Sequence, residues 1–215
     1  FVKLVNTHHH LDHSGGNISF KGMVAHVLAH ANSKINQQNV AVARKIEDQQ
    51  LYPDQTYTDT WCEKIGKEKL CLNYYGAAHT NGDSLVHFEH ANIAHMGDLV
   101  FNRIYPNIDR PAGASIRNWI PVLEKCYAKL DKKTKVICGH ALQPEGIVTN
   151  RETLLEMRNY LANLLDFTSQ EIKAGKTKEQ VLENTVIPGY DSFKDQFKFI
   201  KVNLGTAYDE LTETK

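Results

Sequence analysis

The chain has no CxxC pair, no G-x-S-x-G elbow, no internal repeat and no low-complexity tract. It also lacks any apolar run near the roughly 18 residues that a membrane span requires. Each absence removes a class: the structural zinc knuckle, the serine hydrolase with a nucleophile elbow, the solenoid and the helical membrane protein. Charge of one sign is missing too. Lys plus Arg is 25 and Asp plus Glu is 25, and no basic stripe stands out, which excludes nucleic acid and an anionic membrane as expected partners. Four cysteines are too few for a disulfide scaffold.

What remains is an ordinary globular composition, with 41% hydrophobic and 23% charged residues over a length of 215. That is enough chain for one domain with a sizeable core. Cys62 and Cys71 flank a charged, Gly-containing segment, 63–69, that fits a hairpin turn. A bridge between them is open, but packing as free thiols is the favoured reading, and the redox compartment stays undecided. Phe1 to Asn6 carries no initiator Met, basic leader or cleavage site. It reads as a strand running straight into the richest motif of the chain, so upstream sequence is expected to be absent. If that part holds a signal peptide, a periplasmic or secreted location follows.

Strand patterns fall at 2–5, 23–29, 69–75, 84–89, 91–95 and 135–138, with Gly97-Asp98 expected to close the fifth. Helical patterns fall at 36–50, at 115–130 with a kink or late start at Pro121, and from Thr149-x-x-Glu152, a candidate capping box, through Leu165. The tail from Lys176 reads as amphipathic helix. The apolar faces of the second and third helices are expected to pack on a sheet. Strands alternating with helices indicate α/β.

Histidine is the unusual residue, at eleven. Thr7-His8-His9-His10-Leu11-Asp12-His13-Ser14-Gly15-Gly16-Asn17 contains HxHxDH, which random placement would produce on the order of one time in a thousand. Imidazole with carboxylate suits zinc and similar divalent metals. In extended backbone His8 and His10 share a face while His9 points away, and the turn that follows brings Asp12 and His13 to a second point nearby. His79, Asp98 and His140 follow in order, each after an apolar or alternating run and a small residue. Together these seven residues describe a two-metal site with Asp98 placed to bridge. Asn81 and Asp83 read as residues that orient His79, and Asp109 as close to neutral. His9, His26, His30, His87, His90 and His95 are assigned to structure or surface. Asn102, Arg103, Tyr105 and Asn107 lie on an expected loop beside the metals.

On these motifs the chain resembles the metallo-β-lactamase superfamily of metallohydrolases over residues 1–142. The resemblance implies an αββα sandwich whose initial strands are missing here, as one domain over 1–215 with a C-terminal helical extension from about 150. It implies two zinc ions, with iron or manganese as other options: His8, His10 and His79 on the first, Asp12, His13 and His140 on the second, and Asp98 bridging. Asp98 and His13 stand where B1 and B2 β-lactamases carry Cys and Arg. The first motif is similar to that of glyoxalase II, without its C-terminal glutathione-binding region. The later stretches look most like bacterial β-lactamase-like hydrolases. The expected reaction is attack by metal-activated water on an ester, lactone, thioester or amide, β-lactams included, with Asp12 accepting a proton. The alternatives are a mononuclear iron persulfide dioxygenase and a zinc-holding fragment without turnover.

Overall fold

The computed structural model describes residues 2–213. Two sheets form from short, β-branched and aromatic runs. The first holds β1 (Lys3–Val5), β2 (His26–His30) and β3 (Gln55–Tyr57), all parallel and in that order. The second orders β4 (Thr60–Ile65), β5 (Glu68–Asn73), β6 (Leu85–Phe88), β7 (Ile93–Asn102), β8 (Lys135–Ala141) and β9 (Val148–Asn150). Hairpins join β4 through β7, and β7 pairs with β8 in parallel across an intervening helix. β1 lies at a sheet edge, and Phe1 itself falls outside the described residues.

The α-helices are α1 (Leu11–Ser14), α2 (Ala31–Arg44), α3 (Ile116–Lys129), α4 (Glu152–Lys173), α5 (Lys178–Val181) and α6 (Ile200–Thr212). Leu28, Tyr57, Leu70, Leu72 and Val86 form one core cluster drawn from both sheets. α2 covers the outer face of the first sheet. A larger cluster joins β7 and β8 to α3, α4 and α6. The layering is therefore αββα. Trp119, Leu123, Leu154, Met157, Leu161 and Leu164 are fully buried, as an apolar helical stripe facing a sheet requires. The Trp119 indole N–H donates to Leu99 O at 3.1 Å.

Several elements differ from the sequence reading. α2 starts at Ala31 rather than at 36, because the His30 ring caps it by accepting from Asn32 N–H. Pro121 neither delays nor ends α3: Ser115 Oγ caps the helix and the buried face of Trp119, Val122, Leu123 and Cys126 holds it through the lost hydrogen bond. No capping box forms at Thr149, which lies in β9 with its hydroxyl on that of Thr153. The tail is helical only in α5 and α6, and irregular chain over 182–199 separates them. β7 runs on through Gly97-Asp98 to Asn102, and His140 lies inside β8. Cys62 and Cys71 oppose each other on β4 and β5 and form a disulfide. Direct cross-strand pairing brings the two Cβ atoms close, so free thiols is the wrong reading.

Candidate metal centre

The site grows from the ends of β1, β7 and β8 and from two loops. After β1 the chain crosses His8 and His9 in an irregular segment, and His10 caps the single turn α1 that carries Asp12 and His13. Asn6 and Asn17 clamp this loop: each side chain donates an amide hydrogen to the other's oxygen, at 3.0 and 2.8 Å. That explains the Asn at the end of the motif.

Three imidazole nitrogens face one point. His10 Nδ1 lies 3.1 Å from His8 Nε2 and 2.9 Å from His79 Nε2. The outer nitrogens set the tautomers. His10 Nε2 sits 2.8 Å from Asp109 Oδ2 and His79 Nδ1 sits 2.8 Å from Asn107 O. A carboxylate and a carbonyl are both acceptors, so each of those nitrogens carries the proton. With both rings neutral, His10 Nδ1 and His79 Nε2 are bare lone pairs aimed at each other. Such an approach is repulsive unless a cation lies between them. Tetrahedral zinc with Zn–N bonds of about 2.0–2.1 Å would hold such nitrogens about 3.3 Å apart, close to what is seen. Burial holds His79 down to about 4 and His8 well below the ordinary imidazole range, so both are neutral, as metal ligands must be.

Asp98 joins this trio to a second one. Its Oδ2 lies 3.8, 3.5 and 3.4 Å from the Nε2 atoms of His8, His79 and His140. Its Oδ1 lies 3.0 Å from His13 Nε2, yet neither of these two buried atoms has a hydrogen-bond partner. Asp12 Oδ2 completes the second group, 3.2 Å from His13 and 3.1 Å from His140. The structure thus brings all seven sequence-designated residues together, as His8, His10, His79 and Asp98 on one side and Asp12, His13 and His140 on the other. Orphaned atoms aimed inward and a mixed imidazole–carboxylate donor set fit bound divalent metal.

The electrostatics divide in the same way. Burial alone would raise the Asp98 carboxyl, but His8, His13, His140 and His79 hold it well below the usual carboxylate range. Burial lowers His13, and the neighbouring Asp12 and Asp98 carboxylates outweigh it and carry the ring up to about 9. The same two carboxylates raise His140 to about 10. Two glycines make room. Gly97 has φ +50°, and a Cβ there would meet the Thr7 side chain at 2.6 Å. A Cβ on Gly139 would lie 2.1 Å from Asp98 Oδ1. An irregularity in the β7–β8 register at Gly97 turns Asp98 toward the histidines.

Sequence reasoning missed the residues that hold the ligands. Asp109, expected to be neutral, binds His10. His9, assigned to structure or surface, is structural: it is 1% exposed, with Nε2 3.8 Å from Asp109 Oδ2 and, among the described residues, no hydrogen bond to either ring nitrogen. Asp83 accepts from Thr80 N–H and Oγ–H and fixes the turn after His79. Asn81 accepts from Asn36 Nδ2. Of the four loop residues after Asp98, Asn107 reaches the cleft, while Tyr105 is buried and Asn102 donates to Gly146 O. His26 pairs with Asp54, His30 caps α2, His95 accepts from Gly97 N–H, and His90 bonds to the backbone of Lys67. His87 is buried, and among the described residues neither of its ring nitrogens has a hydrogen-bond partner. The segment 105–117, which supplies Asn107 and Asp109, is gripped from the C-terminal region. Asn203 donates to Pro106 O at 2.7 Å, and Glu210 accepts from Ile116 and Arg117 N–H at 2.7 and 3.1 Å.

Above the histidines opens a cleft of about 530 Å³, floored by His10, Asp12, Asp98, Asp109 and His140.

Comparison with known proteins agrees with this geometry. A sequence model of the metallo-beta-lactamase superfamily matches residues 2–140. Metallo-beta-lactamase IND-1 of Chryseobacterium indologenes is 26% identical over 142 residues, covering 65% of this chain and 55% of that protein. The chain thus spans about half the length of that curated relative. Among solved structures, a metallo-beta-lactamase from Pontibacter korlensis aligns with TM-score 0.60 at 23% identity, over 75% of this chain and 70% of the other. A double mutant of the sec-alkyl sulfatase PisA1 aligns over 100% of this chain and 42% of its own, with TM-score 0.72 and 14% identity. At those identities the two structures establish the shared fold.

Proposed function

The chain belongs to the metallo-beta-lactamase superfamily, and from that premise we propose that it is a dinuclear zinc-dependent hydrolase. The observation that carries this reading is the convergence of His8, His10, His79 and Asp98 beside Asp12, His13 and His140. Neutral His10 and His79 rings, with facing nitrogens 2.9 Å apart, would repel unless a cation lay between them. His8, His10 and His79 would hold one ion and Asp12, His13 and His140 the other. Asp98 lies between the two groups, with Oδ2 near His8, His79 and His140 and Oδ1 near His13, and its charge would offset repulsion between two dications.

Divalent ions held there would supply an activated water near neutral pH and polarisation of an electrophilic oxygen. The chain's own residues do the rest. Asp109 and Asn107 O fix the ring orientations, and the fold turns Asp98 inward. Asp12, with its side chain 56% exposed at the cleft floor, is placed to take the proton that the attacking water loses. An ester, lactone, thioester or amide, including a β-lactam, is the substrate class.

The test combines metal analysis with turnover on a panel of those substrates and a phosphodiester. Two zinc per chain, loss of hydrolysis on exhaustive chelation and recovery with zinc are the expected results. Asp98→Ala should lose one metal and more than the about 10–100-fold that loss of a ligand-orienting residue costs. One iron per chain without hydrolysis would overturn the proposal in favour of an iron oxygenase.

A further inference from the structure

The cleft walls are unlike its floor. One wall comes from the irregular segment before α6, which lies beyond the residues matched by the family model. That segment is anchored where Lys194 N–H donates to Arg103 O at 3.0 Å and Tyr105 N–H donates to Lys194 O at 3.2 Å. Phe193 packs behind it, stacked on Tyr160 with ring centroids 5.0 Å apart. Tied at these points, the segment carries Phe197 and Phe199 to the cleft. Phe197 meets His140 edge-on at 5.8 Å and is 43% exposed, while Phe101 stacks on the same imidazole at 5.2 Å. A large aromatic left this open beside charged residues loses hydrophobic stabilisation. A ligand that covers it would recover that.

The other wall is α2. Val40 and Arg44 stand one turn apart on it and both line the cleft. The Arg44 guanidinium enters no ion pair among the described residues, although Asp12, Asp98 and Asp109 line the same cleft. Those carboxylates are turned to histidines instead. The cleft therefore offers a polar floor, an aromatic wall and, among the described residues, a cation outside any ion pair.

Resting on the hydrolase reading for the floor, we infer that the cleft takes an amphiphilic acyl substrate. An aromatic or bulky apolar group lies against Phe197 and Phe199, and a carboxylate separate from the scissile bond lies on Arg44. Apolar area gives affinity, and the planar guanidinium fork gives orientation through charge-assisted hydrogen bonds.

The experiment is calorimetric binding of three non-hydrolysable probes to the zinc-loaded protein: 2-phenylsuccinate, succinate without the ring, and 3-phenylpropanoate without the second carboxylate. Phenylsuccinate should bind about 10-fold more tightly than either of the others. Phe197→Ala should erase its advantage over succinate, and Arg44→Gln its advantage over phenylpropanoate. Both residues sit at the surface, and thermal melts check that each variant stays folded. Equal affinity for the three probes, or discrimination that survives both substitutions, overturns the inference. Ester turnover is measured separately. Turnover without the binding pattern refutes this inference alone, and the binding pattern without turnover refutes the hydrolase reading and leaves the cleft assignment standing.

Discussion

Asp109 Oδ2 lies 2.8 Å from His10 Nε2, across 99 residues of sequence. The carboxylate fixes both the tautomer and the ring plane of His10, leaving Nδ1 free to face His8 and His79. This relationship replaces the expectation that Asp109 is near neutral. Asp109→Ala should weaken the first metal about 10–100-fold, read by competition with a chromogenic chelator. Asp83→Ala, measured alongside, should cost less, because Asp83 touches Thr80 and no metal-facing ring. Equal affinities for Asp109→Ala and the parent protein would remove the orienting role.

Gly139 is a spatial requirement. Its added Cβ would sit 2.1 Å from Asp98 Oδ1 and 2.7 Å from the Gly97 carbonyl, so Asp98 must move. Gly139→Ala is expected to bind fewer than two metals per chain, measured by plasma emission on dialysed protein. Gly16→Ala is the control beside the same motif, since nothing lies within 4 Å of its Cβ position. Should both variants hold two metals, the close approach of β8 to Asp98 is not needed.

Glu210 links α6 to the site from behind. Its carboxylate takes the first two N–H groups of α3 and lies 3.4 Å from Arg110. Glu210→Ala leaves buried donors unpaired at a helix N-terminus and should cost about 1–3 kcal/mol of stability. Urea unfolding with an unchanged m-value would measure it. A midpoint equal to that of the parent would show the contact to be dispensable.

The Cys62–Cys71 bridge closes a short loop within the β4–β5 hairpin. In the chain-entropy account a loop of that length contributes about 2–3 kcal/mol. Reduction should lower Tm by about 5–10 °C at this chain length and leave metal stoichiometry unchanged, because the hairpin contributes no ligand. Calorimetry with and without reductant decides, and an unmoved Tm would rule out a stabilising role.

The sequence by itself picked out the seven residues that the fold gathers into one cluster. His8, His10, Asp12 and His13 are close in the chain, so backbone geometry alone nearly brings them together. His79, Asp98 and His140 could be read because apolar runs lead to each. The αββα layering was legible from the same runs and from the buried stripes of α3 and α4. Tertiary structure decided what no local pattern encodes. The partner of His10 is Asp109, the partner of His79 is a backbone carbonyl, and His9 is buried against them. Element ends moved for the same reason: β7 runs past Asp98 because β8 pairs with it, and Pro121 stays helical because Trp119 and Leu123 are buried on both sides of it. Likewise, Phe197 reaches the cleft because Lys194 is tied to the chain after β7. Short spacings are set by backbone geometry, whereas contacts between distant segments depend on how the whole chain packs.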